Sequence, residues 1–229
     1  MSWVLDNLDL IGSLALEHLR QCLLPLVLGF VISIPLGWVA HRFRLTRGLI
    51  LTIVGLLYTI PSLALFAILP TVFSVGFLSE TNLVIALTVY AVAILARSIA
   101  DALGSVDPEV RQAAVAVGYG PWRRFWGVEF PLAGPVVLAG LRVAAVSTIA
   151  LATVGILIGV DNLGYLFTNG LQRRIVAEVL AGTLAVMLIA LLVDALLVLV
   201  GRALMPWTRR GGAARSRAAR MLLASRGAA

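Results

Sequence analysis

The chain alternates long apolar runs with short polar, mostly basic turns. From Gln21 to Ala40 there is no Asp, Glu, Arg, Lys or His. A run of about 20 such residues is the length of a membrane-spanning helix. This predicts a first span, with local kinks at Pro25 and Pro35. His41, Arg42, Arg44 and Arg47 follow as a tight basic turn. Gly48 to Ser79 carries no charge at all. Divided in two, this run would give spans of about 16 residues each, too short for a hairpin. It predicts one long second span, kinked near Pro61 and ending around Pro70. Further spans are predicted from about Asn82 to Ile99, from about Leu132 to Gly159, and from about Val176 to Leu204. The runs are continuous rather than alternating over about ten residues, so they predict helices and not a barrel. Ahead of them, WVLDNLDLIGSLALEHLR (3–20) sets apolar residues at helical spacing with Asp and Glu between them. It predicts an amphipathic helix lying on the outer surface. The expected organisation is that helix over 1–20, a transmembrane domain over 21–205 and a basic tail over 206–229.

Composition agrees with this reading. The chain is 61% hydrophobic with a mean hydropathy of +1.03, and 13% of its residues are charged. A soluble domain carries roughly 25% charged residues. The expected class is an all-α polytopic membrane protein. The net charge is +7, and all 18 basic residues are Arg. Positive residues mark the cytoplasmic side of a span. They cluster after span one, between Arg97 and Pro131, and from Arg202 onward, where the tail adds arginines at 209, 210, 215, 217, 220 and 226. Five spans then fit one orientation, with the N-terminus outside and the C-terminus in the cytoplasm. A basic tail beside a span reads as an anchor for orientation and anionic membrane lipid rather than as a nucleic-acid arm. The lone Cys22 excludes an internal disulfide framework and reads as a small buried residue. Asp6 and Asp9 without a basic region ahead of them give no expectation of a signal peptide.

The segment between spans three and four reads QAAVAVGYGPWRRFWGVEFPLAGP (112–135). Local rules place a helix before its glycines. Asp107 is a good N-cap, Pro108 suits the first helical position, and Glu109 favours the positive end of the helix dipole. Val110, Ala113, Ala114 and Val117 recur at helical spacing as a narrow stripe of small apolar residues. Gly118 and Gly120 let the helix end and turn. Pro121 starts a second short amphipathic piece carrying Trp122, Phe125 and Trp126, and Pro131 opens the next span. On composition alone, an interface for another protein and an ordinary loop folded on its own bundle are equally good readings.

The same stretch resembles the "EAA" loop of permease subunits of binding-protein-dependent ABC importers, in which Glu-Ala-Ala is followed by three residues, a Gly and, about a dozen residues later, Leu-Pro. Ala113, Ala114, Gly118 and Pro131 match; Gln112 stands where the family has Glu, and Phe130 where it has Leu. YTIPSLALFAILP (58–70), VDPEVRQAAVAVG (106–118), FPLAGPVVLAGLRVA (130–144) and DNLGYLFTNGLQRR (161–174) are similar to permeases for osmoprotectants such as glycine betaine, carnitine, choline or proline betaine. Methionine permeases share the architecture.

The resemblance implies that residues 112–118 form a cytoplasmic coupling helix docked on a separate ATPase, with Gln112, Ala113, Ala114, Gly118, Trp122 and Pro131 as the coupling residues. It implies two ATPase subunits, a second permease (identical or paralogous), an extracytoplasmic substrate-binding protein and a bacterial inner membrane. It also implies ATP on the partner subunits and no cofactor on this chain. No Gly-x-x-x-x-Gly-Lys-Ser/Thr phosphate loop is present, and with no Lys the chain cannot carry that lysine.

Polar residues inside the spans are the candidate translocation path: Tyr58, Thr59, Pro61 and Ser62 in span two, and Ser147 and Thr148, with Thr153, in span four. Helix–helix hydrogen bonding would explain the same residues. Tyr58 and Tyr90 are too few and too distant in sequence for an aromatic cage around a quaternary ammonium ion. Arg142 and Asp194 each lie about ten residues from the cytoplasmic end of their spans, roughly 15 Å deep at about 1.5 Å per residue. Equal depth and opposite charge favour an intramembrane ion pair over the other reading, in which Arg142 snorkels or bonds to carbonyls while Asp194 faces a wet cavity. No cluster of His, Cys, Asp or Glu forms a metal or nucleophile constellation, which argues against a membrane-embedded enzyme.

Overall fold

A computed structural model describes residues 2–208; the tail arginines from 209 onward, read above as a basic anchor, lie outside the described residues. In chain order the helices are α1 (Ser2–Asp6), α2 (Leu8–Arg42), α3 (Arg44–Thr59), α4 (Ser62–Phe73), α5 (Glu80–Gly104), α6 (Pro108–Ala116), α7 (Pro121–Arg124), α8 (Phe130–Ala152), α9 (Gly164–Gln172) and α10 (Val176–Leu204). A π turn, Phe125–Glu129, joins α7 to α8, and a 3-10 turn, Thr153–Ile158, extends α8. The described residues contain no strand. Four helical runs are long and apolar enough to cross a membrane: Leu8–Arg42, Glu80–Gly104, Pro121–Ile158 and Val176–Leu204. A fifth is made if α3 and α4 are counted as one broken span.

α5 is the centre of the bundle. It packs against α2, α3, α4 and α8, and Leu83, Ala86, Leu87, Ala91, Leu95, Ala96, Ile99 and Ala100 are all buried. A helix apolar on every side belongs inside a bundle. The approach of α2 is close because it presents glycine. A Cβ on Gly29 would lie 2.5 Å from the Cβ of Ala91, and one on Gly37 would lie 2.6 Å from Ile99 Cγ2. Small residues let two helix backbones pack this tightly in a membrane.

Three expectations change. Residues 3–20 are not a separate surface helix, because α2 runs unbroken from Leu8 to Arg42, through Pro25 and Pro35. The apolar face of its first half, Leu10, Ile11 and Leu14, packs with Leu163 and Leu166 around α9. His18 is fully buried, its Nε2 at 3.0 Å from the carbonyl of Ile149. Gln21 donates to the Asp161 carbonyl, and the Asn162 amide donates to Gln21 Oε1 and to the Ala152 carbonyl. This polar clasp fastens α2 to the connection between α8 and α9.

The second span is not one kinked helix. α3 and α4 meet at a 111° bend. Pro61 lacks an N–H and pushes the residue before it out of helical conformation; Ile60 sits at φ −65, ψ 125. The freed carbonyl of Ile60 accepts the hydroxyl of Tyr90, so the break is satisfied inside the bundle. α4 then buries Leu65, Phe66 and Leu69 with Leu83, Leu87 and Tyr90 of α5.

Finally, helix does not begin at Pro131: it begins at Pro121 and runs through the π turn to Ile158, with Pro131 as the second residue of α8, directly after that turn.

Candidate functional site

Between α5 and α8 the chain leaves the apolar bundle and builds α6. The Asp107 side chain accepts from the Glu109 N–H at 2.8 Å, and Pro108 fills the first helical position. The far end closes as a Schellman motif: the Tyr119 N–H reaches the Ala114 carbonyl at 3.0 Å, and the Gly118 N–H reaches Val115 at 2.9 Å. Gly118 lies at φ +86, the left-handed region that glycine enters at little cost.

The expected stripe does not form one covered face. Ala114 alone is buried, at 7% exposure. Gln112, Ala113, Val115, Ala116 and Val117 are exposed. Arg111, Gln112, Val115, Ala116 and Arg124 line an open groove of about 380 Å³. Trp122 is 72% exposed, while Phe125 beside it is buried against Trp38 of α2. α6 and α7 thus present Ala, Val and Trp on a face that nothing among the described residues covers.

Glu129 holds the loop to the bundle, and it was not singled out from sequence. Its carboxylate is buried, accepts from Arg124 Nε at 2.7 Å and lies 3.9 Å from Arg111 Nε. Arg111 also donates to the Leu103 carbonyl near the end of α5. One carboxylate therefore ties α6, α7 and the base of α8 to the end of α5. The signal was present: Glu129 is the only acid between Glu109 and Asp161, in a segment holding Arg111, Arg123 and Arg124.

The intramembrane candidates divide into three places. Tyr58, Thr59, Pro61 and Ser62 gather at the α3–α4 break. There the break brings Tyr58 against Tyr90 after all, edge to face, with centroids 6.1 Å apart. Distance in sequence therefore does not keep these two tyrosines apart, although two rings in mutual contact do not form a cage. Thr148 is buried on the face of α8 toward α2, where its carbonyl lies 4.0 Å from Cys22 Sγ. Ser147 points elsewhere, into a groove of about 480 Å³ lined by Ala139, Arg142, Val143, Val146, Ser147 and Asp194. In that groove Arg142 and Asp194 form a bidentate pair, Nε to Oδ1 at 2.6 Å and Nη2 to Oδ2 at 2.7 Å.

A bundle of apolar helices with a capped helix standing outside it, held by a buried carboxylate and offering an uncovered face, is the form of a transporter's membrane subunit. The family described as "Binding-protein-dependent transport system inner membrane component" matches residues 21–210. The chain belongs to this family and is a multi-pass membrane permease of a binding-protein-dependent transport system. It is 33% identical over 200 residues to the osmoprotectant import permease protein OsmW of Salmonella typhimurium, covering 85% of this chain and 92% of that one. It is 38% identical over 164 residues to the ergothioneine transport permease/ergothioneine binding protein EgtU of Helicobacter pylori, covering 72% of this chain but 29% of that longer protein. The MetNI methionine ABC transporter in an inward-facing conformation shares the fold, with a TM-score of 0.78 at 19% identity, over 87% of this chain and 98% of that one.

Proposed function

We propose that the chain forms the membrane path of an ATP-driven importer for a compatible solute such as glycine betaine. The solute class is supported by the osmoprotectant permease OsmW, matched across nearly its whole length, and by the motifs around Tyr58, Gln112, Pro131 and Asp161. In this reading the N-terminus is outside a bacterial cytoplasmic membrane and the C-terminus is in the cytoplasm. Two ATPase subunits bind and hydrolyse ATP, while this chain has no ATPase site of its own and binds no cofactor. A second permease, identical or paralogous, completes the path, and an extracytoplasmic binding protein delivers the solute.

The observation that carries the coupling role is α6 itself. Its two ends are fixed by Asp107 and by Gly118, and Arg111, Glu129 and Arg124 bind it to both flanking spans. Its exposed face carries Gln112, Ala113, Val115 and Val117, with Trp122 beside it. Movement of an ATPase cleft that grips this face is transmitted to α5 and α8 as a rigid displacement rather than lost in a flexible loop. Gln112 keeps the size of the family's Glu and one accepting oxygen, but replaces the other oxygen with an NH2 donor and loses the charge, so the contact at that position is a neutral one.

The test is to purify the chain with its co-expressed transport partners, reconstitute the complex and measure ATP hydrolysis stimulated by loaded binding protein. An ATPase is expected to co-purify, and glycine betaine, carnitine, choline or proline betaine to stimulate it. Stimulation by methionine alone would overturn the solute class. The likeness to the methionine transporter is one of fold, at 19% identity, so methionine enters as the competing ligand.

A further inference from the structure

The groove at Arg142 and Asp194 holds a charge pair that the described residues leave partly uncovered. The two side chains are 41% and 27% exposed. The pair uses Nε and Nη2 of the guanidinium. Nη1, with two N–H donors, takes no protein acceptor among the described residues, and the carboxylate keeps lone pairs in reserve. At the depth of the mid-spans, donors left facing hydrocarbon are expensive, and ionisable residues there face a bundle interior or a water-filled cavity. This flank of α8 and α10 is therefore a polar wall of the transport complex and not a lipid-facing surface. Its other lining residues, Ala139, Val143 and Val146, are small, and the space of about 480 Å³ beside the pair is left open with the Ser147 side chain at its edge.

We infer that the Arg142–Asp194 groove is a transit subsite for a zwitterionic solute, taking its carboxylate on Arg142 and its cationic end beside Asp194. This rests on the compatible-solute reading above. A zwitterion matches both members of the pair and brings no net charge into the membrane, whereas a lone anion or cation would leave one end uncompensated. The pair already satisfies itself, so the solute competes with an existing salt bridge and is held weakly. Weak holding suits a site that must release its load. Ser147 offers a hydroxyl at the same groove and is a positioning residue.

The experiment uses the reconstituted complex in proteoliposomes, with glycine betaine as probe. Replacing both charges, Arg142→Gln with Asp194→Asn, leaves no lone charge in the membrane, so the complex is expected to assemble with its ATPase. Glycine betaine uptake is expected to fall by about tenfold or more, the cost of losing both charged contacts to the solute. Assembly with unchanged uptake would overturn the subsite and leave the pair as a structural bridge. Should the double variant fail to assemble, Ser147→Cys in a Cys22→Ala background gives a second reading. A thiol reagent carrying a trimethylammonium group is expected to label it, and saturating glycine betaine to slow that labelling. No labelling, or labelling that glycine betaine does not slow, would overturn the proposal. A wild-type complex that moves methionine and none of the osmoprotectants would sink the solute class itself. Wild-type betaine transport that survives the double variant would sink the subsite alone.

Discussion

Gly118 ends α6 at φ +86, and a Cβ added there would meet nothing within 4 Å. The demand at this position is conformational, not steric. An L-residue forced into the left-handed region costs about 1–2 kcal/mol, and a β-branched one more. Gly118→Ala is therefore expected to fray the last turn of α6, and Gly118→Val to remove it, while membrane insertion stays intact because the site lies outside the spans. The checks are the level of chain in the membrane fraction and solute uptake by the complex. Undiminished uptake by the Val variant would count against α6 as the coupling element. Single residues were unevenly legible in the sequence. Asp107, Pro108 and Gly118 follow from rules about helix ends that need only neighbours along the chain. Glu129 does not: Arg124 is close along the chain, but Arg111 comes from another helix, and the burial of the carboxylate depends on how α6 folds back.

Among the elements, the break between α3 and α4 has the most to lose from one side chain. The Ile60 carbonyl, released by Pro61, is capped by the Tyr90 hydroxyl from α5. Tyr90→Phe keeps the ring and its packing and removes the donor. The expected cost is about 1 kcal/mol or somewhat more, since a buried acceptor is left unpaired. It is read as a lower melting temperature of the detergent-solubilised complex, with a larger loss in transport if the joint moves during the cycle. A melting temperature equal to wild type would mean that water reaches the carbonyl. Spans three and five were legible almost to their ends, since apolar runs interrupted by one charge each, Arg97 and Asp194, and bounded by Glu80, Asp101, Glu178 and Arg202 set their limits. α2 was not, because Asp6, Asp9 and Glu17 made its first half look like a surface helix. The neighbour that covers its apolar face, around Leu163 and Leu166, lies some 150 residues on. The 111° turn at Pro61 was visible as a proline but not as a reversal, because its size depends on where α4 finds its packing partners on α5.

At the scale of the molecule, charge divides the bundle into two ends. At one end Arg20 bridges Glu17 and Glu80, each at 2.9 Å. At the other, Arg47 pairs with Asp101 at 2.9 Å, and Arg111 and Arg124 surround Glu129. Arg42, Arg123 and Arg202 add to the positive charge of this second end. An excess of Arg marks the cytoplasmic side of a span, and the orientation proposed on that ground has Arg20 and Glu80 outside and α6 inside. The orientation has its own test in single cysteines added to a Cys22→Ala background. Asp9 and Ser105 are both exposed and sit near opposite ends. Asp9→Cys is expected to react with a membrane-impermeant maleimide in intact spheroplasts, and Ser105→Cys only after the membrane is permeabilised. The reverse pattern would put α6 on the side of the membrane where there is no ATP. No cytoplasmic ATPase could then grip it, and the coupling role proposed for its exposed face would fail along with the orientation.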